Sequence, residues 1–477
     1  MIKLSHQVLR VLPMVMLGCG LLPATVQAQF TQQGPKLVGI DAVGGAQQGT
    51  SVSLSGDGNT DIVGGPLDNN EAGSEAGAAW VYTRSRGVWS QQGPKLVGTG
   101  LPVNPSVGIS VSISGDGNTA IVGTGAQAAL VYTRSGDLWS QQAKLVGTGG
   151  AGFGVSQGFS VSISGDGNTA IVGAPFDNIG NCGSSDCAPG AAWVFTRSGG
   201  VWTQQGDKLV GTGAAGYANQ GRSVSLSGDG DTAIVGGNRD NGFVGAAWVF
   251  TRSGGVWTQQ GDKLVGTGAG SAFPHQGSSV SISGDGNTAI VGGPGDNSGI
   301  GAAWVFTRSG EVWSPQGSKL VGTGFVGGLV GGVNHPVEQG SSVSLSGDGN
   351  TAIVGGPSDN DGAGAAWVFT RSGEVWSQLQ AKLVGAGAVG AFVSQGSSVS
   401  LSGNSNYAIV GAYCDAFCTG AAWVYTRFAG TPGNANCVGV SVQSLTRNFG
   451  GLNAAAAALG FSNVPALQMA IMEFCSG

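Results

Sequence analysis

One stretch decides the fold: Ser160-Val-Ser-Ile-Ser-Gly165-Asp-Gly-Asn-Thr-Ala170-Ile-Val-Gly173. On both sides of Gly-Asp-Gly-Asn the residues are of the alternating or β-branched kind that is typical of strands. Glycine and asparagine accept the positive φ angles of a tight turn. The stretch therefore predicts two antiparallel strands joined by a short turn.

The same phrase recurs along the chain, so the fold is a repeat. Its aspartate stands at positions 57, 116, 166, 229, 285 and 348, and Asn404 takes that place in a degenerate seventh copy. Each copy continues with two more strand-like runs, which in the third copy are 191–197 and 201–211. Four strands in a unit of about 58 residues, seven times over, predict an all-β protein, a seven-bladed β-propeller of four-stranded antiparallel blades.

The seventh copy lacks its fourth strand, and the start of the chain carries a matching segment. Residues 30–39 repeat the fourth-strand text, with Phe30 where other copies place a tryptophan. We expect this N-terminal strand to be the outermost strand of the last blade, which leaves no open edge in the ring. The 12 tryptophans fall in third strands or open fourth strands, and we expect them to pack between blades.

The two ends of the chain differ from the repeats. Residues 1–28 have the basic start, apolar run and small-residue end of a signal peptide, and lipidation at Cys19 is a disfavoured alternative. The propeller is predicted over 29–430. Residues 431–477 are predicted to be a linker and a small helical module, with helices at 442–449, 452–459 and 465–474. This module either caps the propeller or serves to anchor the protein or bind a partner.

These features predict an exported protein that is secreted, periplasmic or on the cell surface. No other stretch is apolar enough for a transmembrane helix. An even number of cysteines in an exported chain indicates disulfides, and neighbours are expected to pair. The predicted pairs are Cys182 with Cys187, Cys414 with Cys418, and Cys437 with Cys475.

Composition excludes several classes of protein. The 92 glycines have no collagen period, and 41% hydrophobic residues argue against disorder. The net charge is −6, and most lysines and arginines recur once per copy, so no basic cluster remains for nucleic acid. The chain has no His-Glu-x-x-His or P-loop motif, and we expect no enzymatic activity.

Loop lengths distinguish two faces of the ring. The turns after the first and third strands are constant, whereas the connections after the second and fourth strands vary and emerge on the same face. Variable loops on a rigid scaffold are common binding sites. Four Asp-Asn pairs in these loops are candidates for binding ions or sugar hydroxyls, although Asx-turns explain them as well. They are Asp177 and Asn178, Asp240 and Asn241, Asp296 and Asn297, and Asp359 and Asn360.

The repeats resemble the FG-GAP family, whose best-known members are the N-terminal propellers of integrin alpha chains. The third copy carries the likeness most fully, from Gly158-Phe159-Ser to Gly173-Ala174-Pro175. The resemblance covers about 400 residues. It implies a seven-bladed propeller that acts in extracellular recognition or cell adhesion, here in a secreted protein of bacterial type.

The calcium loops of that family are not reproduced in full. Asp57, Asn59 and Asp61 place three oxygens at alternate positions, but no glycine or acid follows them at the required spacing. They are the weak metal candidate of the chain, and we expect no cofactor.

Three functions follow from these observations. The first is a binding or adhesion-type protein that recognises an extracellular protein or glycan through the variable loops. The second is a hydrolase or lyase that uses acids near the axis, and the third is a structural component of a cell surface or matrix. The sequence leaves the ligand and the oligomeric state open.

Overall fold

The structure is a computed structural model, and it describes residues 30–69, 75–102, 104–125, 128–152, 155–178, 189–330, 333–427, 437–449, 451–458 and 461–476. Within these residues the chain forms seven four-stranded antiparallel sheets arranged as the blades of a propeller, which confirms the predicted fold. The expected signal segment with Cys19, the linker and the Cys182–Cys187 pair lie outside the described residues.

First strands of neighbouring blades contact each other around the axis, and fourth strands lie outermost. From the axis outward, the strands of blades 1 to 7 are Ser51–Leu54, Thr60–Gly65, Ala78–Ser85, Val88–Gln91; Ser110–Ile113, Thr119–Gly123, Ala129–Ser135, Leu138–Leu145; Ser160–Ile163, Thr169–Ala174, Ala191–Ser198, Val201–Gln204; Ser223–Leu226, Thr232–Gly237, Ala246–Ser253, Val256–Gln259; Ser279–Ile282, Thr288–Gly293, Ala302–Ser309, Val312–Pro315; Ser342–Leu345, Thr351–Gly356, Ala365–Ser372, Val375–Gln378; and Ser398–Leu401, Tyr407–Ala412, Ala421–Thr426, Thr31–Gln32. A small hairpin, Gly328–Val330 with Val333–His335, lies between blades 5 and 6.

The N-terminal strand completes the last blade, as predicted. Thr31 and Gln32 pair antiparallel with Thr426 and Tyr425, and Leu37 forms a further bridge with Ala422. This strand therefore closes the ring.

The fourth strands are shorter than the sequence indicates. In blade 3 the strand ends at Gln204, and the chain rejoins the sheet at a single bridge between Leu209 and Ala192. Gly206, with φ of 72°, turns the chain between these points. Blade 2 has one residue fewer here and no glycine, and its strand runs unbroken from Leu138 to Leu145.

Glycine is abundant because the blades meet through their backbones. The Gly165 N–H donates to the Gly228 carbonyl at 2.9 Å, and the equivalent bond joins each pair of adjacent blades. The last link runs from the Asn404 N–H to the Gly56 carbonyl, at 3.1 Å. A Cβ atom on Gly165 would lie 3.0 Å from the Gly228 oxygen, so the first glycine of Ser-Gly-Asp-Gly is needed for this ring of hydrogen bonds.

Serines in the first strands connect neighbouring blades in the same way. The Ser53 hydroxyl accepts a hydrogen bond from the Ile113 N–H at 3.2 Å, and Ser162 does the same for Leu226 at 3.1 Å. A first strand has no sheet partner on its axial side, so these hydroxyls satisfy backbone donors that the sheet leaves unpaired.

The described C-terminal residues form three helices, Cys437–Phe449, Leu452–Ala458 and Val464–Ser476. The predicted Cys437–Cys475 disulfide joins the first to the third, and the Asn463 side chain accepts the Ala466 N–H at 2.9 Å as an N-cap. None of the helices in the described parts of the chain has the length and apolarity needed to cross a membrane.

The helical module belongs to the same hydrophobic cluster as blades 1 and 7. Its Phe461 ring lies 5.8 Å from the Arg427 guanidinium, at the end of the third strand of blade 7. Desolvation lowers the pKa of Arg427 to about 10. The module therefore packs beside the short turns, on the face opposite the variable loops.

Candidate functional site

The two sets of variable connections meet on one side of the ring, which we call the loop face. Gly190, at the end of a second-to-third connection, bridges Gln220 of the connection that enters the next blade. Gly245 and Gln276 repeat this bridge one blade further on. The prediction that both variable connections share a face is confirmed.

The aspartates of the predicted Asp-Asn pairs are buried supports of these loops. Asp177, Asp240, Asp296 and Asp359 are 0–1% exposed, and each carboxylate forms an ion pair with the lysine that follows the fourth strand of its own blade. In blade 4, Lys263 Nζ lies 2.5 Å from Asp240 Oδ2, while Asp240 Oδ1 accepts the Ala215 N–H at 2.7 Å. Asp68 and Asp415 make the same contacts in blades 1 and 7.

The asparagines occupy a left-handed backbone turn. Asn178, Asn241, Asn297 and Asn360 have φ angles of 66°, 50°, 49° and 52°. Asparagine is among the few residues other than glycine that visit this region routinely. Three of them, Asn241, Asn297 and Asn360, are exposed, and each belongs to a separate blade. The structure therefore does not bring the four pairs together.

Blade 7 stabilises the equivalent turn with a disulfide. Its turn, Asp415–Cys418, has Ala416 in place of asparagine, and the predicted Cys414–Cys418 bond spans it. This bond confirms a second predicted pair.

The predicted metal candidates have different surroundings. Asp57 is exposed on its turn, where its Oδ1 accepts the Ser55 hydroxyl at 2.6 Å and the Asn59 N–H at 2.9 Å. Asp61 is fully buried in the second strand, opposite Leu54 and Tyr82, and burial raises its pKa well above the usual range. Neither oxygen of Asp61 has a hydrogen-bond partner among the described residues, and these residues contain no group of three His, Cys, Asp or Glu side chains that could hold a metal ion.

Seven equivalent residues form a ring on the loop face, one just before each first strand, and the repeat pattern alone did not predict them. All have positive φ and precede Gln-Gly, or Val-Gly in blade 2: Gln47, Ser106, Ser156, Asn219, His275, Glu338 and Ser394. In blade 4 the following Gln220 is buried and accepts the Gly211 N–H at 2.5 Å. The repeated Gln-Gly is the signal that could have revealed this ring.

A cavity of about 530 Å³ opens on the loop face between blades 3 and 4. It is lined by aromatic, glycine and polar residues: Phe176, Gly216, Tyr217, Asn219, Arg239, Gly242 and Phe243. Its volume is within the range of small-molecule sites. Phe176 comes from blade 3, whereas Arg239 and Phe243 come from the second-to-third connection of blade 4.

Two arginines give the cavity a positive charge. Arg239 lies 5.6 Å from the Phe243 ring, and Arg222 lies 4.7 Å from the ring of Phe159. Within the described parts of the chain, neither guanidinium forms an ion pair. Desolvation and the nearby Arg239 lower the pKa of Arg222. The same two causes lower the pKa of His275, against a backbone hydrogen bond to Asn238.

Two residues of the cavity have unfavourable local structure, one in its backbone conformation and one in its hydrogen bonding. Phe243 has φ of 73° at a position where blades 5 and 6 place Gly299 and Gly362. A left-handed conformation costs a residue with a side chain about 1–2 kcal/mol. Asn219 is 4% exposed, and its Oδ1 has no hydrogen-bond partner among the described residues.

Comparison with known protein families gives a match to one part of the propeller. Residues 139–195 match the FG-GAP repeat. The match confirms the resemblance seen in the sequence. No curated protein sequence matches the chain.

The matched FG-GAP repeat runs from the fourth strand of blade 2 to the third strand of blade 3. It contains Phe159 and Phe176, whose rings meet edge to face with centroids 6.1 Å apart. One wall of the cavity therefore belongs to the FG-GAP repeat, and the opposite wall belongs to the next blade.

Proposed function

We propose that the chain is a non-enzymatic binding protein of the adhesion type, which recognises an extracellular protein or glycan through its loop face. The proposal rests on the positions at which the seven copies differ. They agree in the glycine ring, the first-strand serines and most of the Asp–Lys pairs, which build the scaffold. They differ at the loop face, where the cavity lies.

The contents of the cavity favour binding over catalysis. Aromatic rings, an amide and a guanidinium offer stacking, hydrogen bonds and charge. The nearest aspartates, Asp177 and Asp240, are already paired with lysines beneath the loops. The alternative of a hydrolase or lyase would need acids that face a substrate.

The test exchanges one loop while keeping its length. Residues 238–244 of blade 4 are replaced by residues 294–300 of blade 5, which have the same aspartate, asparagine and flanking glycines. The matched control replaces Gly199-Gly200 on the opposite face by Gly-Glu, as at Gly310-Glu311. We expect binding on glycan arrays or in pull-downs to fall at least tenfold in the loop exchange and to stay unchanged in the control.

Two results would contradict the proposal. One is binding that survives exchange of every variable connection. The other is turnover of a substrate by the purified protein that is abolished by an acid-to-amide change on the loop face.

The proposed location is outside the cytoplasm, either secreted, periplasmic or at the cell surface. The support is chemical, because Cys414–Cys418 and Cys437–Cys475 are disulfides and such bonds persist in oxidising compartments. Cell fractionation and N-terminal sequencing test it, with Gln29 expected as the first residue of the exported protein. Recovery in the reduced cytoplasm with residues 1–28 attached would refute it.

A further inference from the structure

We infer that the cavity between blades 3 and 4 binds an acidic sugar residue, whose carboxylate meets Arg239 and whose ring face stacks on the aromatic wall. The inference rests on the proposed function and names the class of ligand for that site. Nothing in the repeat itself requires an arginine here, since blades 5 and 6 keep the same loop frame with Gly295 and Ser358 at the arginine position.

The first argument is charge. Apart from the lysine and arginine that recur in each copy, four arginines remain in residues 29–477: Arg86, Arg222, Arg239 and Arg447. Two of these four lie together beside the cavity, in a chain of net charge −6. Because like charges repel and neither has a carboxylate partner in the described part of the chain, the pair favours an anionic ligand. A guanidinium matches a carboxylate with two parallel hydrogen bonds.

The second argument concerns hydrogen bonding. Asn219 Oδ1 is a buried acceptor without a donor in the described residues, at the wall of the cavity. Sulfate and fully ionised phosphate offer acceptors alone and cannot satisfy it. A sugar hydroxyl donates a hydrogen bond, so a sugar acid brings both the anion and the donor that the site lacks.

The third argument is the aromatic wall. Tyr217 and Phe243 line the cavity, and Phe243 is retained despite its left-handed backbone. Its ring meets Phe273 and His275 at centroid distances of 6.2 and 5.3 Å, which orients it. Strained residues are concentrated at ligand sites because the surrounding structure must hold them there. A flat apolar ring suits the carbon–hydrogen face of a pyranose.

The binding test uses three acidic probes and their neutral counterparts. The probes are digalacturonate, a glucuronate-containing disaccharide and sialyllactose, compared with digalactose, cellobiose and lactose in calorimetric titrations. We expect at least one acidic probe to bind at least tenfold more tightly than its neutral counterpart, with affinity that falls as salt is added.

The two test variants use residues that sibling copies already carry. Arg239→Ser copies Ser358, and Arg222→Ser copies Ser278, so both should fold. Arg86→Ser removes the same charge from a short turn on the opposite face and is the matched control. We expect at least a tenfold loss of acidic-sugar affinity in Arg239→Ser, a smaller loss in Arg222→Ser, and none in Arg86→Ser.

A second readout does not depend on affinity. The chain has three histidines, and the His275 signal is assigned by comparison with His275→Asn. A carboxylate bound at Arg239 offsets the charge that lowers the pKa of His275, so saturation with the probe should raise that pKa. The rise should disappear in Arg239→Ser and persist in Arg86→Ser.

The inference is overturned if no acidic probe binds, if acidic and neutral sugars bind equally, or if polyglutamate binds more tightly than every sugar. Binding of other array ligands that survives Arg239→Ser but not the loop exchange would refute this inference and leave the proposed function standing. Binding that survives both Arg239→Ser and the loop exchange would count against this inference and against the proposed function.

Discussion

Replacing Asp61 by alanine should stabilise the propeller. Asp61 is the one residue of its kind among the repeats, because the other six copies place alanine at this position. Its carboxyl group is fully buried, and neither oxygen has a partner among the described residues. An unsatisfied buried polar group costs about 1–3 kcal/mol. Alanine removes that group without introducing a side chain that the fold has not already accepted.

The effect should grow with pH. Burial raises the pKa of Asp61 in the folded state, so between the unfolded pKa and the folded pKa the folded protein holds a proton that the unfolded chain has lost. Stability of the unmodified protein therefore falls as pH rises through this window. Each pH unit adds up to about 1.4 kcal/mol to the penalty. The gain from Asp61→Ala should accordingly be about 1–3 kcal/mol near pH 4 and larger at pH 6.

Urea denaturation at several pH values measures the gain. The reciprocal control is Ala120→Asp in blade 2, where Ala120 likewise lies opposite a tyrosine, Tyr132. This variant should lose stability with the same pH trend. If Asp61→Ala were less stable than the parent, or if its gain were independent of pH, Asp61 would have a favourable partner and the reasoning would fail.

Three other predictions concern the scaffold. Asp240→Ala removes the ion-pair partner of Lys263 and leaves it the Gly213 carbonyl, and it should destabilise the fold by about 2–4 kcal/mol in urea denaturation, below the fully buried limit because the lysine is 23% exposed; a loss under about 0.5 kcal/mol would contradict this. Phe30→Trp and Leu379→Gln should each destabilise the propeller. In a double-mutant cycle the double variant should recover at least about 1 kcal/mol of unfolding free energy, and strict additivity would refute the coupling. Deleting residues 29–39 should expose the edge of Ala421–Thr426 and cause self-association, detected by light scattering; a stable monomer would refute the closure argument.

The coupling of Phe30 and Leu379 follows from the other blade junctions. There the fourth-strand tryptophan donates to a glutamine of the preceding blade, as Trp202 does to Gln142 at 2.9 Å. At the last junction phenylalanine replaces the donor and leucine replaces the acceptor, and both are buried in one cluster. Losing both partners together leaves no unsatisfied group.

The architecture was predictable because it repeats in register. Seven copies of one repeat determine the number of blades and the order of their strands. They also determine the position of Phe30–Gly39, since no other segment matches the fourth strand that the seventh copy lacks. The four-residue turn predicted between the third and fourth strands is also correct. In blade 3, Ser198 pairs with Val201 around a central Gly199-Gly200. Positive φ at both glycines produces the hairpin geometry.

The role of the Asp-Asn pairs was less accessible from sequence. Asp240 and Lys263 lie 23 residues apart, and only the folded blade places the lysine beneath the loop. A comparison of copies does not reveal the pair, because blade 2 lacks the aspartate yet keeps Lys144, which donates to the Gly100 carbonyl as Lys263 does to the Gly213 carbonyl. The cavity was also not predictable from the sequence, since Phe159, Arg222 and Arg239 come from two blades and three separate connections.

Departures from the repeat divide into compensated and uncompensated ones, and the uncompensated ones include Asp61, in the second strand of blade 1, and a group at the cavity. Asp41 is compensated, because its carboxylate accepts the Trp80 indole N–H at 2.7 Å, where blade 3 uses the Thr148 carbonyl. Phe30 with Leu379 is compensated as well. At the cavity, the side chains of Phe243 and the paired arginines are supported by ring contacts alone, and neither arginine has a carboxylate partner in the described chain. Since blades 5 and 6 place glycine or serine at these positions, the two arginines and Phe243 favour a ligand that supplies the missing carboxylate partner.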